Sequence, residues 1–92
     1  PEVLFWIGHV YYKMGKYDLA YQYFQRVYIL YSNYEKWLKK SYIMSIYCLD
    51  KSDGSNAIIR TYNEMINLNL LDDSEEVQNL IMFLKKKKII DE

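Results

Sequence analysis

Covalent or metal chemistry in this 92-residue chain would have to come from one histidine, one cysteine and two acidic clusters. His9 could serve as a base or a ligand, but no second histidine accompanies it. Cys48 falls on a different face in the helical register set out below, so a Cys–His pair is not expected. Cys48 reads instead as a small buried core residue, and His9 as a polar residue on the rim of a binding surface. The run Asp50-Lys51-Ser52-Asp53-Gly54 has the flavour of a calcium loop, yet it lacks the further alternating ligands and the distal Glu that such a loop needs. It reads as a polar turn with helix caps. Asp72-Asp73-Ser74-Glu75-Glu76 reads as a helix start, where carboxylates meet the positive end of the helix dipole. There is no Gly-rich phosphate loop. No catalysis, metal or cofactor is therefore expected. Lys85 to Lys88 is the one charge run. It could meet an anionic surface, but a helix end, where cations face the negative pole, is the plainer reading.

The eleven tyrosines stand out more. Tyrosine offers a large contact area with one polar tip at low entropic cost, which suits recognition surfaces. The remaining composition sets the frame. Hydrophobic types make up 51% and charged types 26%, a globular balance. Twelve Lys and Arg offset twelve Asp and Glu, so no general attraction to nucleic acid or anionic membrane is expected. One Cys excludes a disulfide framework, and three Gly with one Pro leave too few turn residues for an all-β fold. The longest apolar stretches fall far short of the roughly 20 residues a spanning helix requires. The chain starts at Pro1, so it is expected to be processed or cut from a longer protein.

Breakers at Gly15-Lys16, Ser32-Asn33, residues 51–56 and residues 69–73 separate segments with helical spacing. They predict five helices, at about 2–14, 18–31, 35–50, 55–68 and 74–88. Asp18, Asn33, Ser55 or Asp53, and Asp73 or Ser74 are the expected caps. Apolar stripes follow at steps of three and four: Ala20, Phe24, Val27, Tyr28 and Tyr31; Ile58, Tyr62, Met65 and Ile66; Val77, Leu80, Ile81 and Leu84. Short loops predict antiparallel neighbours, which makes two helical hairpins and a final helix.

The two hairpins resemble each other. A shift of 37 residues sets Phe5 over Tyr42, Gly8 over Ser45 and Ala20 over Ala57. One extra residue in the second turn then sets Phe24 over Tyr62 and Val27 over Met65. The first hairpin reads Leu4-x2-Ile7-Gly8-x2-Tyr11…Ala20-x3-Phe24…Ser32, which resembles the tetratricopeptide repeat, W-x2-L-G-x2-Y…A-x3-F…P. Gly8, Tyr11, Ala20 and Phe24 match outright, and Ser32 stands in place of the proline. Ser45 and Cys48 replace the Gly and Tyr in the second copy. A narrower likeness, carried by residues 20–32 and the long spacing, is to repeats of bacterial cell-envelope proteins, the β-barrel assembly lipoprotein and the coordinator of the Tol–Pal system.

The resemblance implies an all-α, right-handed superhelical array. Repeat one would cover about 2–34 and repeat two about 35–70, with a capping or third-repeat helix at about 74–88. It implies a concave groove lined by the first helix of each pair, which places Phe5, His9, Tyr12 and Lys13 there, with Tyr42, Ile46, Leu49 and Asp50. Phe5 and His9 stand where chaperone-binding members carry their carboxylate-clamping Lys and Asn, so chaperone tails are not expected ligands. The expected function is non-catalytic binding of a peptide or partner protein. The alternative is a structural segment of a longer solenoid. A second apolar stripe on the first helix, Val3, Trp6, Val10 and Met14, lies beside the Leu4, Ile7 and Tyr11 stripe that repeat geometry gives to helix two. It would face a preceding repeat or mediate self-association.

Overall fold

The computed structural model describes residues 1–52 and 54–91. Its order is α1 (Glu2–Lys13), α2 (Tyr17–Leu30), α3 (Glu35–Lys51), α4 (Ser55–Asn67) and α5 (Glu75–Lys86), with no strand among the described residues. The Cα radius of gyration, 12.3 Å, is that of one collapsed body at this length rather than an extended rod.

Three helices stop in the same way. Gly15, Asn69 and Lys88 adopt left-handed backbone, with φ of 78°, 59° and 60°. In each case two reversed hydrogen bonds close the end. Lys16 N–H donates to Tyr11 O, Leu70 N–H to Met65 O and Ile89 N–H to Leu84 O, each at 2.9 Å. The residue before each donor bonds three positions back, to Tyr12, Ile66 and Lys85. This is the Schellman closure, which satisfies the orphan carbonyls of a helix end. Gly15 was legible as a stop. Lys88 accounts for the charge run: Lys85–Lys88 is a helix C-terminus, and Lys87 Nζ lies 3.4 Å from Asp50 Oδ1.

The starts depart from expectation. Lys16 precedes α2, and Asp18 sits in its first turn rather than at the cap. Tyr34, not Asn33, precedes α3, and Gly54 precedes α4, with Ser55 as its first helical residue. Asp53 lies outside the described residues. Among the described residues only Ser74 caps with its side chain, accepting from Val77 N–H at 3.4 Å.

The core falls into two clusters. Phe5, Ala20, Phe24 and Val27 form the first, together with Cys48 from α3. The second holds Leu38, Tyr42, Ile43 and Ile46 of α3 with Ile58 and Met65 of α4, Leu70, and Val77, Leu80 and Leu84 of α5. Ala20, Phe24 and Val27 are fully buried, so α2 meets its neighbours with the expected stripe. On α4 the buried face is Ile58, Thr61 and Met65, while Ile66 of the expected stripe is half exposed.

Gly8 lets α1 press against α2. A Cβ there would stand 2.9 Å from Phe24 Cε1. Phe24 has no exposed surface and lies 5.4 Å from the Phe5 ring, centroid to centroid, so it has little room to yield.

Burial also resets the repeat register. Four buried positions of the second hairpin stand 38 residues after buried positions of the first: Ile43 after Phe5, Ile46 after Gly8, Ile58 after Ala20 and Met65 after Val27. The expected pairing of Gly8 with Ser45 is therefore one residue off in α3. Ser41, Ser45 and Cys48 form a buried small-residue row along α3 at steps of four and three, with Cys48 packing among α1 and α2 side chains. Their small size serves contact with the first hairpin, not closure of the second.

The two φ-positive termini predict opposite outcomes. Lys88→Gly relieves a left-handed side-chain penalty of about 1 kcal/mol, so its thermal midpoint should rise by about 4–8 °C. Gly15→Ala should fall by a similar amount although no atom lies within 4 Å of the added Cβ. Thermal unfolding followed by circular dichroism checks both, and a Gly15→Ala chain as stable as the parent contradicts the closure.

Candidate functional site

The side chains that α3 does not bury between the clusters open into a cleft. Its floor is Lys40, Ile43, Met44 and Tyr47 of α3. Phe5, Trp6 and His9 of α1 form one wall, and Glu76 and Asn79 of α5 the other. The cleft holds about 310 Å³, at the lower end of the range for small-ligand pockets and ample for one large side chain.

Aromatic rings define its α1 side. Phe5 is buried and meets Trp6 edge-on at 5.2 Å, Trp37 at 5.3 Å and Phe24 on its inner face. Trp6 lies above it, 49% exposed, with His9 at 5.4 Å. Phe5 thus braces Trp6 from below. On the far side Tyr47 meets Phe83 edge-on at 5.1 Å. The result is a rigid, apolar surface with polar tips.

Its charges cancel. Lys40 Nζ is 3.1 Å from Glu76 Oε2, and Lys39 Nζ is 3.6 Å from Glu76 Oε1 and 2.9 Å from Asp72 Oδ2. Partial burial, then the nearby Lys13 ammonium, lower the His9 pKa below its ordinary value, so the imidazole is neutral at pH 7. Asp50, at the other end of α3, is paired with Lys87.

The expected groove residues divide. Phe5 and His9 line the cleft. Tyr12 does not: it packs on the first core cluster and stands edge-on to Tyr17 at 5.3 Å. Lys13 is exposed beside His9. Tyr42 and Ile46 are core residues, which corrects their assignment to the groove. Tyr42 stacks on Tyr28 at 4.2 Å and donates its hydroxyl to Glu64 Oε2 at 3.1 Å. Burial, helped by that carboxylate, pushes its phenol up to about 12. Ile46 has no exposed surface, and Leu49 packs half-buried on the second cluster and against Gly54. Ile43, Met44 and Tyr47 hold the places that those residues were expected to fill. Ile43 and Tyr47 are the 38-residue partners of Phe5 and His9, so the corrected register would have found them; Met44 is the partner of Trp6, which was expected on the outward stripe of α1 and instead lines the cleft.

Nucleophilic chemistry finds no footing. Cys48 is 1% exposed, and burial pushes its thiol up to about 12. Among the described residues no three His, Cys, Asp or Glu side chains could hold a metal ion. No helix among them is long and apolar enough to cross a membrane. The outward stripe of α1 is as open as the sequence suggested: Val3 is 72% exposed, Val10 57% and Met14 58%.

Lys39, then Ser74, hold the Asp72 carboxyl down to about 2. Its folded pKa lies below the ordinary carboxylate value, so its contribution is present above about pH 4 and is lost as pH falls toward about 2. A carbon-13 carboxyl titration should show Asp72 titrating near 2. Lys39→Met should return it toward the ordinary carboxylate range. An unchanged midpoint in that variant contradicts the assigned pair.

Residues 1–34 match the family model of the tetratricopeptide repeat. No curated protein and no solved structure matches the chain. The comparisons lend nothing to the narrower likeness to bacterial envelope proteins.

Proposed function

We propose that the chain is a protein-interaction module of the tetratricopeptide type, whose cleft takes the apolar or aromatic side chains of a partner peptide. The family matched by the first hairpin is one of interaction modules without catalysis of their own, and the all-helical fold agrees with it. In this reading α1 and α3 are the first helices of two repeats, covering about 2–34 and 35–70 in a right-handed array. Helix α5, which supplies the second wall, is the first helix of a third repeat or a cap.

One observation carries the proposal. Trp6 is half exposed and held by Phe5 over a cleft to which α1, α3 and α5 all contribute. A braced, partly exposed tryptophan on the wall of a concave surface is the kind of residue on which binding energy concentrates. The neutralised lysines and neutral His9 supply no strong field, so recognition rests on shape and apolar contact. A charged peptide tail is not the ligand this surface favours.

A second reading keeps the outward α1 stripe as a contact face for another helix. Burying such side chains is worth roughly 1.5–3 kcal/mol each when complete, which favours a partner there over open solvent.

The test is selection of peptides from a displayed library against the 92-residue chain, followed by calorimetric titration. Selected peptides should lose about thirtyfold or more in affinity on Trp6→Ala, a hot-spot loss of about 2 kcal/mol. Equal binding by a Trp6→Ala, His9→Ala chain of unchanged helicity contradicts the proposal.

A further inference from the structure

The outward stripe of α1 carries more information than its apolarity. At 100° per residue, Val3, Trp6, Val10 and Met14 fall within about 80° of one another around the helix. Their spacing of three, four and four residues makes a narrow seam close to two heptads long. Two charged residues of the helix, Glu2 and Lys13, lie on the same flank of that seam, separated by about 16 Å along the axis. Both are exposed, and neither takes part in an ion pair among the described residues. The other flank, Ile7 and Tyr11, is partly buried.

We propose that this face takes a second copy of the chain, with the two α1 helices antiparallel about a two-fold axis near Gly8. An antiparallel two-fold places residues opposite one another when their numbers are symmetric about the centre. Val3 then meets Met14 of the other copy, Trp6 meets Val10, and Glu2 meets Lys13. All three pairings share a centre within half a residue of position 8. A two-fold of this kind keeps the two flanks separate, so the opposite charges meet on one side of the seam and are used twice. A parallel pairing sets the Glu2 and Lys13 flank of each helix against the Ile7 and Tyr11 flank of the other, so neither charge meets an opposite one, and flanking charges decide orientation in paired helices. The patch is therefore self-complementary, as an isologous contact requires. The flank that carries Glu2 and Lys13 is also the one nearest His9 and the cleft mouth, so the two clefts open on the same side of the pair.

The contact spans one 12-residue helix per copy, so the dimer belongs to the small, weak class of interfaces. The proposal rests on the reading of the α1 stripe as a contact face; Trp6 belongs to that stripe and to the cleft wall, so the variants that test the dimer are placed at Glu2, Val10 and Lys13, outside the cleft lining.

Sedimentation equilibrium on the 92-residue chain, from about 10 μM to 1 mM, tests it, with helicity checked for every variant. The expected result is a monomer–dimer equilibrium in the native chain that Val10→Lys abolishes. Glu2→Lys and Lys13→Glu should each weaken association roughly tenfold, because two attractive pairs become repulsive. The double exchange should restore it to within about threefold of the native value. A native chain that is monomeric throughout overturns the proposal and leaves the stripe to a helix of another protein or of a longer chain. So do single exchanges without effect, or a double exchange no better than the singles. A monomeric chain that still binds selected peptides sinks the dimer and leaves the cleft reading standing.

Discussion

The middle of α3 is buried from both sides, and the other helices are placed by that fact. Six of the eight positions from Ser41 to Cys48 are buried. Cys48 faces the Ala20 and Phe24 cluster, while Tyr42, Ile43 and Ile46 face α4 and α5. A helix enclosed in this way cannot be amphipathic in the ordinary sense, so its sequence must provide two different buried faces. Ser41, Ser45 and Cys48 supply the small one and the isoleucines with Tyr42 the large one. The small face has a cost: the Ser41 hydroxyl is buried without a hydrogen-bond partner, a penalty of the order of 1–3 kcal/mol, whereas the Ser45 hydroxyl lies beside that of Tyr28. Alanine would fit the same space without it. The structure offers no physical reason for the Ser41 hydroxyl.

The cleft is a consequence of the same enclosure. With both flanks of α3 occupied, its remaining strip, Lys40, Met44 and Tyr47, lies between α1 and α5. Nothing about those three side chains alone marks a binding site. They become one because Phe5, itself buried, holds Trp6 over them and because Glu76 cancels the Lys40 charge. The aromatic content that stood out in the composition is thus divided by role. Tyr28 and Tyr42 stack inside the fold, Tyr11 and Tyr23 pair across the first hairpin, and Trp6 and Tyr47 are left for contact with something else.

Much of this was legible in the residues. Gly15, the polar run after α3 and the acidic start of α5 divide the chain correctly to within a residue or two at most ends. Gly8 with Phe24 identified the tight first hairpin, because only a missing side chain permits that approach. On α1 the Val3, Val10 and Met14 side chains are exposed, while Trp6, expected beside them, lines the cleft. The second hairpin was misread for a definite reason. Small residues do not mark equivalent positions in the two hairpins, and matching Ser45 to Gly8 slips the register by one. The slip moved Tyr42 and Ile46 into the groove and hid Ile43 and Tyr47, while Met44 was hidden because its counterpart Trp6 was expected on the outward face. Spacing alone could not expose it, because α3 is buried on both sides and has no polar stripe to fix its rotation. The left-handed turn at Lys88 was equally hidden, since lysine carries no signal for that backbone.

The dependence of the cleft on α3 can be measured without any ligand. Native-state hydrogen exchange across a denaturant series reports the free energy at which each amide becomes exposed. The amides of residues 42–48, enclosed by both core clusters, should exchange only through global unfolding, with the highest protection in the chain. The amides of α1 and α5 should open at equal or lower free energy. If residues 42–48 exchange through a local opening while α1 or α5 stays protected, α3 is not the element on which the fold and its cleft are built.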